Sequence, residues 1–230
     1  LGDKNKKFNL TEPFSGLFTQ GMVCHETYKD ENGVWLNPKE VEISNKNNYF
    51  IKDSPQKKVL VGASESMSKS KKNTVDPEEM IANYGADAVR LFILSDSPPE
   101  KDVQWSNTGV VSANKFLQKI WNLNHLISVR KENSLDKKLE EKFEIEIDNF
   151  INKIDNAINN FRFNVAIAHF YEIYKFVKDQ INSKLSNKVL IKNIINVMKL
   201  MIPFTPHLAY ESLDLFECKT TNNWPEVKNR

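Results

Sequence analysis

Cysteine is nearly absent: the 230 residues hold two, Cys24 and Cys218, far apart and without CxxC spacing. That excludes a disulfide-stapled scaffold and points to a reducing compartment. Glycine and proline are also few, seven and nine, which excludes a collagen-like or low-complexity chain. No apolar run approaches the ~20 residues of a membrane span, and the opening LGDKNKKF lacks the apolar centre of a signal peptide. A cytoplasmic location without membrane contact is expected. The histidines, His25, His125, His169 and His207, stand singly. His25 adjoins Cys24, but two neighbouring donors do not complete a zinc site, so no bound metal is expected. The chain opens on Leu1 instead of methionine, as a piece of a longer protein would.

What remains is enough apolar residue, 40% of the chain, to bury a core in one large domain or two modest ones. Charge is nearly balanced at +2 but unevenly spread: residues 1–75 stand at +3, 76–112 at −5 and 113–230 at +4. Two basic regions divided by an acidic one permit contact with a polyanion without requiring it. The basic side chains are 28 lysines and four arginines, point charges for the most part and not bidentate phosphate forks.

Residues 9–24, NLTEPFSGLFTQGMVC, read as a loop closing on a short buried strand at 21–24. Between 25 and 64 the pattern is that of a small β-rich insertion. Asn32-Gly33 predicts a two-residue hairpin turn, Val34-Trp35-Leu36 follows it, and Val41/Ile43, 49–51 and 59–61 predict further short strands. The aromatic residues here are expected to form the insertion's own miniature core. Helices begin at Asp76-Pro77-Glu78-Glu79, which sets an N-cap, a proline at the first helical position and a glutamate at the capping-box position. Gly85 punctuates that helix, and 86–94, ADAVRLFIL, is apolar almost all round, as a buried helix is. Apolar residues at helical spacing then mark 110–129, 135–161, 165–181 and 189–202, and Thr205-Pro206 caps and starts one more helix. The chain is therefore predicted to be α+β and mainly helical, with an antiparallel α-helix bundle over 105–230. His169 and His207 read as packing residues in those patterns, and Trp105 and Trp121 as core or interdomain packing. Glu140-Glu141 and Glu144, Glu146 and Asp148 read as a solvated helix face, not as acid catalysts.

The most informative stretch is Ser66-Met67-Ser68-Lys69-Ser70-Lys71-Lys72-Asn73, directly ahead of the capped helix. Lysines among small flexible residues, on a loop leading to the positive end of a helix, suit a phosphate group. On composition alone a solvated Lys/Ser loop is the better reading. The order of the residues changes that: MSKSKKN followed by DPEEMIANYGADAVRLFIL resembles the KMSKS loop of class I aminoacyl-tRNA synthetases and the helix after it. The flanks, PFSGLFTQGMVCHETY before the loop and GADAVRLFILSDSPPEKDVQWSNTGVVSANKFLQKIWN after it, resemble the C-terminal part of the bacterial leucyl-tRNA synthetases, as does the placing of the insertion. FTPHLAYE, 204–211, is similar to the class I pattern that opens the last bundle helix.

The resemblance implies that residues 1–104 are the C-terminal end of a Rossmann-type catalytic domain, with a leucine-specific-type insertion at about 25–64 and the KMSKS-like loop at 66–70. It implies an anticodon-binding-type helix bundle for 105–230. Ser66, Met67, Ser68, Lys69 and Ser70 would meet ATP, and Lys69 matches the lysine that stabilises the triphosphate while the amino acid is adenylated. Ser66 stands where the family has its first lysine, which leaves Lys69, Lys71 and Lys72 to supply the charge. The implied activity belongs to a longer protein, with ATP and leucine as substrates, Mg2+ accompanying ATP, and tRNA(Leu) as acceptor. The family's HIGH motif, editing domain and small C-terminal domain are not in this sequence, so the chain by itself is expected to be inactive and to bind no cofactor. Lys115 and Lys119, one turn apart on the first bundle helix, read as solvated by default and, given the resemblance, as candidates for the tRNA backbone. Other readings stay open: a fragment of a valyl- or isoleucyl-tRNA synthetase, against which the insertion and SPPEKDVQW speak, a stand-alone helical RNA-binding module, and a protein-interaction scaffold.

Overall fold

The computed structural model describes residues 12–44, 48–132, 135–220 and 223–225; the first part of the loop predicted at 9–24 lies outside them. Strand β1, Val23–Lys29, is the axis of a mixed sheet. It pairs antiparallel with β2, Trp35–Leu36, and with β6, Leu60–Ser66, and its first residues pair parallel with β7, Val103–Gln104. A second sheet, in the order β3-β4-β5, comprises Val41–Ile43, Tyr49–Ile51 and Ser54–Lys58. The ladder between β1 and β6 runs from Cys24↔Ser66 to Lys29↔Leu60. It therefore passes through both expected ends of the insertion, 25 and 64, and ties its base to the strand that leads into the lysine loop.

The turn at Asn32-Gly33 differs from the two-residue form predicted. The last β1–β2 pair is Lys29↔Trp35, so five residues make the connection. The Asp30 carboxylate accounts for the extra length, accepting from the backbone N–H groups of Asn32 at 2.9 Å and Val34 at 2.8 Å, an Asx turn in place of the tighter hairpin. Gly33 takes φ +80°, where a side chain would be strained. Strand β5 departs from the expected pattern because its sequence, SPQKK, is polar and contains Pro55. It lies at the sheet edge, where a proline costs no ladder bond. Residue 59, predicted to start a strand, is instead a buried link before β6. The β-rich part does have a miniature core of its own, Tyr28, Leu36 and Val59 with Val41, Tyr49 and Ile51 packed on it. A sheet so small is marginal alone. An ion pair between Lys39 of the 3-10 turn Pro38–Glu40 and Glu79 attaches it to the helical part.

The helices are α1 Pro77–Tyr84, α2 Ala86–Asp96, α3 Asn107–Ser128, α4 Lys137–Asn159, α5 Phe163–Gln180, α6 Asn187–Met201 and α7 Pro206–Leu215. Four of them begin at a side-chain cap: Asp76, Ser106, Asp136 and Ser186 each accept from backbone N–H groups of the first turn. In α4 the buried residues Phe143, Ile147, Phe150, Ile151, Ile154 and Ala157 recur at three and four. The stripe packs on α5 and α6 while the charged remainder faces outward. Helices α2 to α7 share one core with β7. Helix α2 comes so close to α3 that a side chain at Gly109 would meet the Phe92 ring at 2.5 Å. The acids expected on a solvated face are partly structural. Glu140 accepts from the backbone N–H of Ser186 at 2.9 Å, and Glu144 pairs with Lys192 at 2.6 Å, both linking α4 to the start of α6.

Candidate functional site

Strand β6 delivers the chain to Ser66, and the N–H of Met67 donates to the Val23 carbonyl at 3.3 Å. The chain then turns through 68–72 before Asp76 caps α1. Inside the turn the N–H of Lys72 donates to the Lys69 carbonyl and the N–H of Lys71 to the Ser68 hydroxyl, both at 3.3 Å, and the hydroxyls of Ser68 and Ser70 lie 3.2 Å apart. Lys72 takes φ +56°, an uncommon conformation for a residue with a side chain.

One buried side chain ties this turn to its neighbours. Asn73 is fully buried. Its Oδ1 accepts from the N–H of Ser68 at 2.8 Å, and its Nδ2 faces the carbonyls of His25 and Glu65 at 3.2 Å and of Ser66 at 3.5 Å. The loop is thus fixed to both β1 and β6. In the sequence Asn73 is only the last letter of a lysine-rich string. Nothing in the local pattern marks it as buried, since the burial comes from the pairing of strands whose partners lie 31 residues and more apart in sequence.

The lysines fall into different roles. Lys69 and Lys72 are exposed, and the Lys69 ammonium has no hydrogen-bond or ion-pair partner among the described residues. Lys71 is half-buried and ion-paired with Glu65, so the expectation that it adds free charge to the loop is corrected. The helix end predicted to help bind phosphate is occupied as well. Asp76 Oδ1 accepts from the N–H of Glu78 at 3.0 Å, and Glu78 and Glu79 stand in the first turn. Three carboxylates at that terminus offset the partial positive charge of the helix. The positive charge the loop can offer a polyanion is therefore that of its exposed lysines.

A second cluster joins α2 to the helical core. Asp87, nearly buried, accepts from the N–H of Leu208 at 2.8 Å through Oδ2 and lies 2.9 Å from His207 Nδ1 through Oδ1. Arg90 donates to the carbonyls of Phe204 at 3.2 Å and Pro203 at 2.6 Å. These contacts correct two expectations. The Thr205 side chain does not cap α7, its hydroxyl being buried without a partner among the described residues; the cap comes from Asp87, 121 residues away in sequence. His207 is not a packing residue, for its ring is largely exposed above Asp87.

Lys115 and Lys119 lie on the exposed face of α3, opposite the buried stripe that includes Val110, Phe116, Leu117 and Ile120. Trp105 packs edge-on against Phe92, as expected of a packing residue. Trp121 does not join the core: it is 37% exposed, stacks on His125 and lines a shallow surface pocket with Gln118, Asn122 and Leu208. Two of the other histidines are locally bonded, His25 Nδ1 lying 2.8 Å from the Glu26 carbonyl oxygen and His169 Nδ1 2.9 Å from Glu172. Among the described residues, no group of three or more His, Cys, Asp or Glu could hold a metal ion. No helix among them is long and apolar enough to cross a membrane.

Comparison with known proteins supplies what geometry does not. Residues 47–106 match the family described as tRNA synthetases class I (I, L, M and V), and residues 140–230 the anticodon-binding domain of tRNA ligase. The chain is 37% identical over 223 residues to the leucine–tRNA ligase of Zymomonas mobilis, covering 96% of this chain and 25% of that protein. It is 41% identical over 212 residues to the leucine–tRNA ligase of Rickettsia typhi, covering 92% of this chain and 25% of that one. It thus spans about a quarter of the length of these relatives. Among solved structures, the LeuRS of Agrobacterium radiobacter K84, in a ternary complex with tRNA and LeuAMS, superimposes with a TM-score of 0.62. That likeness covers 71% of this chain and 23% of the other at 23% identity, a likeness of fold.

Proposed function

Given that the chain belongs to the class I tRNA synthetase family, we propose that it is the segment of a leucine–tRNA ligase that carries the ATP-facing lysine loop and the tRNA-facing helix bundle. On this reading residues 1–104 end a Rossmann-type catalytic domain, and 105–230 form an antiparallel bundle of the anticodon-binding type. The observation that carries it is Lys69: an exposed ammonium, unpaired among the described residues, on a loop whose backbone is fastened at its base, inside the stretch matched to the class I family. That family description covers four amino acids, so the choice of leucine rests on the relatives' names.

The reaction assigned to the complete protein has two steps. The leucine carboxylate attacks the α-phosphorus of ATP, a new phosphorus–oxygen bond forms, and the bond to the β-phosphate oxygen breaks to release pyrophosphate. The 3′-terminal ribose hydroxyl of tRNA(Leu) then attacks the leucyl carbonyl and releases AMP. In the first step negative charge builds on the departing pyrophosphate, and a lysine reaching it acts mainly in the transition state. Ser66, Met67, Ser68 and Ser70 would shape the loop around the nucleotide, and Lys72 adds a second exposed charge. Mg2+ is expected to accompany the triphosphate of ATP in the complete protein. Lys115 and Lys119 are the proposed contacts with the tRNA backbone.

The test is leucine-dependent ATP–pyrophosphate exchange in the complete protein with Lys69→Ala. The expected loss in kcat is roughly 10²–10³-fold, about 3–4 kcal/mol, by analogy with removing one preorganised donor, and it exceeds any rise in the KM for leucine. Ser66→Lys, which restores the family's first lysine, should change the rate far less because Lys72 already stands exposed on the same turn. A near-native kcat for Lys69→Ala returns the loop to a solvated lysine run.

A further inference from the structure

The residue that decides the shape of the lysine loop carries no charge. Between Ser68 and Lys72 the internal bonds are long, both backbone donations measuring 3.3 Å, and hydrogen bonds of that length are weak. Lys72 sits in the left-handed region, and a side chain stays there only where its surroundings over-determine it. The side chains of Lys69 and Lys72 are exposed and have no partner among the described residues, so they do nothing to hold the turn, and the half-exposed ion pair of Lys71 with Glu65 adds little. The buried tie is Asn73, whose amide is used at both ends: one oxygen on the Ser68 N–H within the loop, one NH2 on carbonyls contributed by β1 and by the end of β6.

We propose that Asn73 is the positioning residue of the loop, holding the base of the turn against β1 and β6 so that Lys69 projects from a fixed frame. The inference rests on the reading of Lys69 given above. The chemistry of the pocket selects an amide. It presents one N–H to be accepted and three carbonyl oxygens to be donated to, and among side chains of this size only asparagine carries both an acceptor and an NH2. Aspartate keeps the acceptor but would set a carboxylate oxygen against carbonyls at 3.2–3.5 Å, without water to screen it. Alanine leaves the same groups buried and unpaired. Either change frees the frame and lets Lys69 wander from the position where it meets a developing charge.

The experiment uses the complete protein with Asn73→Ala, Asn73→Asp and the milder Asn73→Ser, each alone and combined with Lys69→Ala, after thermal melting has identified the variants that fold. In ATP–pyrophosphate exchange a folded Asn73 variant should lose kcat by roughly 10–10²-fold, the scale of a small misplacement of a catalytic group, with the KM for leucine nearly unchanged. In the Lys69→Ala background the same substitution should add little, because its effect passes through Lys69. Limited trypsin digestion should cut after Lys69, Lys71 and Lys72 faster in the single variants than in the parent. Losses that multiply with that of Lys69→Ala, or unaltered cleavage at those lysines, would overturn the role of Asn73 while leaving Lys69 in place. A Lys69→Ala protein with full exchange would instead remove the reading of Lys69, and the digestion would still decide whether Asn73 holds the loop.

Discussion

Asp87 does with one carboxylate what the sequence pattern assigns to Thr205: it caps α7 by accepting from Leu208 and holds His207 beside it. With the Leu208 N–H left bare and His207 deprived of its partner, Asp87→Ala should destabilise the fold by about 1–3 kcal/mol. Asp87→Asn, which keeps an acceptor for Leu208, should cost less. Urea unfolding of the chain measures both, and equal stability of Asp87→Ala and the parent would mean that water replaces the cap. Asp87 and Asn73 share a reason for escaping sequence reading. Each satisfies backbone groups that only the tertiary fold brings near, whereas Lys69 announces itself by the company of Met67, Ser68 and Ser70. Lys71 belongs with the first group, its charge matched by Glu65 in a pairing the string of letters does not contain.

Helix α3 carries two faces with different tasks, and substitutions on them should separate cleanly. Ile120, 4% exposed within the inner stripe, should lose about 2–5 kcal/mol of stability on change to alanine, from transfer and cavity costs together. Lys115→Ala with Lys119→Ala on the outer face should shift stability by no more than about 0.5 kcal/mol. The paired lysine change should also lower the slope of log K against log salt for tRNA binding by the complete protein, because fewer phosphates are neutralised and fewer counterions leave the RNA. An unchanged slope would make those lysines ordinary solvated residues. Elements of this kind were legible because their signals are local: apolar spacing marked the helices to within a few residues, and Asp76 with Pro77 marked the start of α1. The strands were less so. Strand β5 has a polar sequence and exists because β4 offers it an edge, and the β1–β2 turn is long because the Asp30 carboxylate competes for its N–H groups.

At the scale of the whole molecule, the lysine loop and the bundle are parts of one packed body. The loop runs into α1, α1 packs on α2, and α2 grips the α6–α7 junction through Arg90 and Asp87. The bundle proposed to meet tRNA and the loop proposed to meet ATP are then joined by two short helices and not by a free linker. The mainly helical α+β class was legible in the sequence through the apolar periodicity of its helices. The most direct test of the account is amino-acid-dependent ATP–pyrophosphate exchange, measured side by side on this chain and on the complete protein that contains it. Exchange with leucine, and little with valine or isoleucine, is expected from the complete protein, and none from the chain alone. Exchange by the purified chain, or a complete protein that answers to valine or isoleucine in place of leucine, would contradict it.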